Sequence, residues 1–185
     1  AIPVFADVDP HTYNMTPESV AAVITPRTRA VMVIHLMGNP VDMDGIRAVC
    51  APRNIRIIED CAQAAGATWK KKSVGTLGDI GAYSFNDFKH LSCGDGGMVV
   101  TNDRALFERA HNFADKFYDR LNLGVRLQTL GPNYRMSELQ GAVLLNQLDK
   151  LASIAATRRK LGDLFTKRLA DVRSEEHTSE LQSQF

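Results

Sequence analysis

The fold prediction depends most on residues 57–101, IIEDCAQAAGATWKKKSVGTLGDIGAYSFNDFKHLSCGDGGMVVT. An apolar run ends in Asp60, a second run ends in Ser84, and a third, GMVVT, closes the stretch. Short apolar runs bounded by small and polar residues are typical of buried strands. Lys89 follows the second run in a Gly- and Ser-rich context. Because ligands of open α/β sheets bind beyond the carboxyl ends of the strands, Asp60, Ser84 and Lys89 are predicted to share one site.

The chain before this stretch alternates between strand and helix patterns. Residues 30–36 (AVMVIHL) are an apolar run, residues 43–51 (MDGIRAVCA) favour a helix, and the run that ends in Asp60 follows. Strand, helix and strand at this spacing predict an α/β fold with a mostly parallel sheet flanked by helices. The unbroken apolar run at 30–36 also predicts a strand that is covered on both faces. Residues 1–8 (AIPVFADV) are interpreted as one more strand.

Capping residues mark the helix starts, and one long polar segment lacks any period. Thr16 stands before a proline and an acid, which is typical of a helix N-terminus. Ser137 and Gln140 form an S-x-x-Q capping box that opens a second helix. Residues 115–130 are polar and aperiodic, so they are predicted to form a mobile loop.

Composition and charge argue against several classes of protein. The chain has 185 residues, of which 44% are hydrophobic and 23% charged, as expected for a globular domain with a core. A net charge of +1 gives no electrostatic reason to propose nucleic acid or a membrane surface as partner. The three cysteines lack CxxC spacing and favour reduced thiols in a cytoplasmic protein. The five histidines show no metal-ligand spacing, and no bilayer-length apolar run or export signal is visible.

Five motifs occur in a fixed order along the chain: HLMGNPVDMD at 35–44, EDCAQAAGA at 59–67, VGTLGDIGAYSF at 74–85, GDGGMVVTND at 94–103 and GPNYRMSELQGAVLLNQL at 131–148. Together they resemble the DegT/DnrJ family of sugar aminotransferases, which are fold-type I enzymes that depend on pyridoxal 5′-phosphate (PLP). The resemblance covers residues 1–169 and implies the large domain of such a transferase.

The resemblance implies a role for Lys89 and for Asp60. Lys89 is the lysine that binds the PLP aldehyde covalently and then moves the substrate proton as base and acid. Asp60 pairs with the protonated ring nitrogen, which keeps the ring an electron sink. Without the resemblance, Lys89 is an ordinary surface lysine and Asp60 a cap of the next helix. Family members that work as dehydratases carry histidine at the lysine position, so Lys89 argues against that branch.

Three further residues complete the implied cofactor site. Gln63 lies near the phenolic oxygen, Ser84 donates its hydroxyl to the phosphate, and Asn133 reaches the phosphate of the neighbouring subunit. Without the resemblance, Gln63 would be an exposed amide, Ser84 a hydroxyl bonded to the backbone, and Asn133 a turn residue. Arg135 is an alternative to Asn133 as the phosphate contact, or a substrate ligand. His35 is interpreted as a packed histidine.

The resemblance also predicts a domain organisation in three parts. Residues 1–150 are part of the PLP-binding large domain, residues 151–172 link it to a small domain that the sequence lacks, and residues 173–185 are a non-native tail. The string RSEEHTSELQS resembles one reading frame of a sequencing adaptor, and an acidic helix end is the alternative. A phosphate-binding loop upstream of residue 1 is also expected to be missing. Such a fragment is expected to bind cofactor weakly or not at all and to lack activity by itself.

The function that follows is PLP-dependent transfer of an amino group. The donor is glutamate or glutamine, and the acceptor is a keto-sugar, normally nucleotide-linked, or a cyclitol. Active sites shared between subunits imply a homodimer. The alternative is a catalytically silent family member that acts as a regulatory or binding subunit. A nucleotide-dependent reductase is disfavoured because the sequence lacks the GxGxxG fingerprint.

Overall fold

A computed structural model describes residues 1–121 and 130–170 of the chain. The chain divides into two compact units, Ala1–Leu151 and a second that begins at Ala152. The predicted non-native tail and part of the predicted mobile loop lie outside the described residues, and the three-part domain organisation stays a prediction. None of the described helices has the length and apolar character needed to cross a bilayer. The helices and strands are α1 Pro17–Val23, β1 Ala30–Ile34, α2 Met43–Cys50, β2 Arg56–Asp60, β3 Thr68–Trp69, β4 Lys72–Ser73, β5 Ile80–Ser84, β6 Gly97–Val100, α3 Arg104–Ala114, α4 Glu138–Leu148 and α5 Leu151–Leu169.

A four-stranded sheet in the order β1-β2-β5-β6 forms the centre of the first unit. The β1–β2 and β2–β5 pairs are parallel, and the β5–β6 pair is antiparallel. The predicted mostly parallel α/β sheet is therefore confirmed. β6 runs antiparallel because residues 85–96 turn the chain back without a crossover helix, which a parallel partner would require.

The sheet buries one face and exposes the other. Val33 and Ile57 point into a core shared with α1 and α2, together with Val20, Met43, Ile46 and Cys50. Met32 and Ile34 on the opposite face of β1 are exposed, and so is Val99 of β6. Within the described residues β1 is thus covered on one face, and the prediction of cover on both faces is wrong there. An unbroken apolar run cannot by itself tell a strand covered on one face from a strand covered on two.

The predicted helix starts are confirmed, whereas the first predicted strand is wrong. Thr16 caps α1 through a reciprocal capping box with Ser19, and Ser137 and Gln140 form the same arrangement at α4. Residues 1–8 form no ladder within the described part of the chain, where Val8 makes only an isolated bridge with Met15. A strand needs a neighbour to satisfy its backbone groups, and local apolar sequence does not supply one.

Candidate active site

Asp60 and Ser84 lie at the same end and on the same face of the sheet. Asp60 is the last residue of β2, and Ser84 is the last residue of β5. In the parallel register Asp60 lies opposite Ala82. Because side chains alternate along a strand, Asp60, Ala82 and Ser84 share one face, the exposed face to which Ile34 belongs. The prediction that each of these residues ends a strand is confirmed, and the two strands are neighbours in the sheet.

The carboxylate of Asp60 is held at one oxygen and open at the other. Oδ1 accepts a hydrogen bond from the backbone N–H of Ala62 at 2.9 Å, which forms a turn after the strand. The backbone oxygen of Asp60 accepts from His35 N–H at 3.1 Å, and Cys61 N–H donates to Ala82 O at 2.8 Å. Oδ2 has no hydrogen-bond partner among the described residues. The capping role and the cofactor role foreseen for Asp60 are therefore compatible, because they use different oxygens.

The amide of Gln63 has a fixed orientation. Its Oε1 accepts a hydrogen bond from the backbone N–H of Met37 at 2.8 Å, and an N–H can donate only to the oxygen of the amide. Met37 adopts a left-handed backbone conformation with φ of 52°, and Gln63 itself is exposed. The Nε2 group of Gln63 is consequently the end that remains to donate to a ligand. A donor of this kind suits an ionised phenolic oxygen.

Lys89 lies on a loop whose two ends are tied together. Phe85 N–H donates to Gly96 O at 2.8 Å, and Cys93 N–H donates to Phe85 O at 3.1 Å. Phe85 is buried beneath the loop and packs in a small core with Leu91 and Leu144 of α4. Lys89 itself is half-buried, and its backbone N–H closes a turn onto Asn86 O at 3.0 Å. The loop that carries Lys89 therefore begins directly after Ser84, and hydrogen bonds at its base anchor it.

Asn133 is exposed and belongs to a segment that packs against the end of α3. Tyr134 N–H donates to Ala114 O at 2.8 Å, and Asn133 forms an isolated bridge with Asp115. Arg135 Nε lies 2.9 Å from the Asp115 carboxylate. Within the described residues no hydrogen bond joins Asn133 to Asp60, Ser84 or Lys89, so its cofactor role stays a prediction.

Sequence reasoning missed a buried polar cluster on the reverse face of β2. Glu59 is fully buried and accepts a hydrogen bond from His35 Nε2 at 3.0 Å, so the prediction that His35 is a packed histidine is confirmed. Val41 N–H donates to His35 Nδ1 at 3.1 Å, which places the ring proton on Nε2. Three backbone N–H groups also donate to Glu59, those of Gly75, Leu77 and Gly78.

These contacts determine the charge of Glu59 and the role of the cluster in the fold. Burial alone would raise the pKa of Glu59, but the hydrogen bonds from His35 and from the three N–H groups outweigh it and hold the pKa below the ordinary value. Ligand atoms of His35, Glu59 and Cys61 lie within 4.8 Å of one another, a grouping that could hold a metal ion. Since N–H donors already occupy Glu59 and His35, the cluster is a closed hydrogen-bond network that ties β2 to the loop before β5.

The comparison with known families matches residues 1–184 to the profile of the DegT/DnrJ/EryC1/StrS aminotransferase family. The chain belongs to this family. The resemblance carried by the five motifs is thereby confirmed. Among curated relatives, the chain is 39% identical over 180 residues to the L-glutamine:2-deoxy-scyllo-inosose aminotransferase of Streptoalloteichus tenebrarius, which covers 92% of the chain and 42% of the relative.

Solved structures of family relatives have the same fold. DesV of S. venezuelae, determined in complex with a ketimine intermediate, superposes with a TM-score of 0.86 at 36% identity and covers 94% of this chain and 46% of that one. A GDP-4-keto-6-deoxymannose-3-dehydratase with a trapped PLP-glutamate geminal diamine has a TM-score of 0.82 at 28% identity, covering 90% of this chain and 47% of that one. The chain spans less than half of the length of the curated relatives that it matches.

Proposed function

We propose that the protein is a PLP-dependent aminotransferase that transfers an amino group from glutamate or glutamine to a keto-sugar or a cyclitol. The observation that carries the proposal is the shared end and face of Asp60 and Ser84, with Lys89 on the anchored loop beyond Ser84. An acid, a hydroxyl and an amine at or just beyond the carboxyl ends of neighbouring strands suit a charged aromatic cofactor.

The residues at this end fit the chemical groups of PLP. Bound PLP supplies an aldehyde for the lysine and a ring that stabilises negative charge at the substrate carbon. The open Oδ2 of Asp60 is the acceptor for the ring N–H, and the free Nε2 of Gln63 is the donor for the phenolic oxygen. Ser84 binds the phosphate. The amine of Lys89 would hold the cofactor and would move a proton at the reacting carbon.

The acceptor class and the assembly are inferred from the relatives and from the position of Asn133. The relatives include a glutamine-dependent aminotransferase that acts on a cyclitol ketone and an aminotransferase that acts on a UDP-linked 3-dehydro sugar, and the proposal takes both classes of acceptor from them. The exposed Asn133 has no site partner within the described part of its own chain, which suits a contact to the cofactor of a neighbouring subunit. We therefore include a homodimer with shared active sites in the proposal.

Reconstitution with PLP and chemical trapping test the proposal. Because the chain spans less than half of the length of these curated relatives, the test uses the complete open reading frame that contains it. The protein should show the absorbance band of lysine-bound PLP, and borohydride should fix the cofactor on the peptide that contains Lys89. Label on another lysine would contradict the assignment of Lys89. Absence of label and of turnover would instead favour the silent regulatory or binding subunit.

Replacing Asp60 with asparagine should slow turnover without releasing the cofactor. The Asp60→Asn variant keeps an oxygen for Ala62 N–H but loses the charge that stabilises a protonated ring nitrogen. We expect kcat to fall by about 10²-fold, as when one preorganised electrostatic contact is removed from an active site. Borohydride should still trap PLP on Lys89. Asp163→Asn on α5 is the matched control, and an unchanged kcat in the Asp60 variant would show that the ring nitrogen has another partner.

A further inference from the structure

Asp115 is a buried carboxylate enclosed by three cations at the end of α3. Its side chain is 1% exposed, whereas Lys116, Arg120 and Arg135 are 42%, 48% and 47% exposed. Lys116 Nζ contacts Oδ1 at 3.0 Å, Arg135 Nε contacts the same oxygen at 2.9 Å, and Arg120 Nε pairs with Oδ2. The cations reach solvent while the carboxylate does not. Burial works to raise the pKa of Asp115, but the bonds from Lys116 and Arg120 outweigh it, so the group stays anionic.

The position of Asp115 is unfavourable for α3 considered alone. Asp115 is the C-terminal cap of the helix, where a negative charge opposes the helix dipole. The next two residues, Lys116 and Phe117, both have left-handed backbone conformations, with φ of 58° and 56°. Non-glycine residues rarely adopt such angles, and they persist only where surrounding contacts demand it. Asp115, Lys116 and Phe117 thus all go against the preferences of an isolated helix end. This indicates that the Asp115 carboxylate makes a contact with a distant part of the chain.

That contact is with the segment that carries Asn133. The backbone of the segment is fixed on both sides of Asn133, since Lys116 N–H donates to Pro132 O at 3.0 Å and Tyr134 N–H donates to Ala114 O at 2.8 Å. The Tyr134 ring packs edge-on against Phe113, with 6.4 Å between ring centroids. The Asp115–Arg135 ion pair adds the only side-chain charge contact between α3 and this segment among the described residues.

We propose that Asp115 is a positioning residue that holds Arg135 and thereby sets Asn133 in place for the cofactor phosphate. The inference rests on the role proposed above for Asn133. It assigns Arg135 to the protein scaffold, where its guanidinium is already paired. The amide of Asn133 is then the group that the segment presents to a ligand. The anchored neighbours Pro132 and Tyr134, one on each side of Asn133, fix the backbone from which that amide projects.

A double-mutant cycle in the complete protein tests this role. Asp115→Asn, Asn133→Ala and the double variant are compared by PLP titration, with Glu108→Gln as control because Glu108 forms an exposed ion pair with Arg104 on the same helix. Each single variant should weaken PLP binding about 10-fold, as expected for losing a hydrogen bond to a charged group. In the Asn133→Ala background, Asp115→Asn should weaken binding no further, because the two residues act through one contact. Additive losses would overturn the proposal.

Amide exchange in the cofactor-free protein separates this inference from the proposed function. Asp115→Asn should speed exchange at Tyr134 N–H, whose acceptor is Ala114 O, and Glu108→Gln should not. Arg135→Gln should reproduce the effect, and it keeps Asp115 paired with its two other cations, so folding is retained. Unchanged exchange in both variants overturns the positioning role even if PLP binds to Lys89. Faster exchange in a protein that binds no PLP would support the anchor and reject the proposed function.

Discussion

The Lys89→Ala variant of the complete protein is expected to have no measurable aminotransferase turnover. Lys89 lies on the anchored loop that follows Ser84, and the proposal gives its amine two tasks, covalent capture of the cofactor and proton transfer at the substrate carbon. Loss of a positioned proton-transfer group alone lowers the rate by about 10²–10⁴-fold. Alanine also removes the nucleophile, so the absorbance band of lysine-bound PLP should disappear. Steady-state kinetics and absorbance spectra measure the two effects separately.

Two further variants show which property of Lys89 matters. Lys89→Arg keeps a positive charge, but the guanidinium stays protonated in proteins and cannot act as the nucleophile. It should be as inactive as the alanine variant. Lys72→Ala on the exposed strand β4 is the control for loss of an ordinary surface lysine and should retain normal turnover. Wild-type turnover in the alanine variant would exclude Lys89 as the nucleophile and proton-transfer group. Turnover in Lys89→Arg but not in Lys89→Ala would show that a positive charge at this position is enough for activity.

The ends of the strands could be predicted because their signal is local. The apolar runs that end in Asp60 and Ser84 stop where β2 and β5 stop, and the motifs around Asp60, Ser84 and Lys89 are continuous in sequence. Parallel pairing then followed from the strand, helix and strand spacing. These features need no knowledge of distant contacts. The same local signal failed at residues 1–8, where an apolar stretch has no neighbouring strand within the described part of the chain.

The supporting polar network could not be predicted in the same way, because its partners are distant in sequence. Glu59 binds His35, which directly follows β1, and its remaining donors come from the loop after β4. One signal was available, since alternation along β2 turns Glu59 away from Asp60 into the core, where a charge needs a partner. Asp115 was assigned to a polar, mobile loop, although it is buried among cations that follow it by up to 20 residues. Local polarity cannot tell a solvated carboxylate from a paired one.

Replacing Glu59 with glutamine should destabilise the fold more than any surface charge change. The carboxylate accepts four hydrogen bonds, and glutamine replaces one acceptor oxygen with an NH₂ group that faces N–H donors. The lost oxygen served two buried N–H donors, and each buried donor left without an acceptor costs about 1–3 kcal/mol. Urea unfolding should show this loss, followed by the fluorescence of the single tryptophan, Trp69, which packs against the main core. Glu108→Gln, in an exposed pair, should change the free energy of unfolding by about 0.5 kcal/mol or less.

The pH dependence of stability tests whether the charge of Glu59 causes the difference in stability between wild type and Glu59→Gln. The pKa of Glu59 is lower in the folded protein than its ordinary value of 4.5, so the unfolded state binds the proton more readily. The stability that Glu59 contributes is therefore complete above about pH 4.5 and is lost as the pH falls through the folded pKa. The difference in unfolding free energy between wild type and Glu59→Gln should accordingly shrink on acidification. A difference that stays constant with pH would assign the lost stability to packing. The Glu59 side chain would then stabilise the fold by filling the space behind Asp60 and not by its charge.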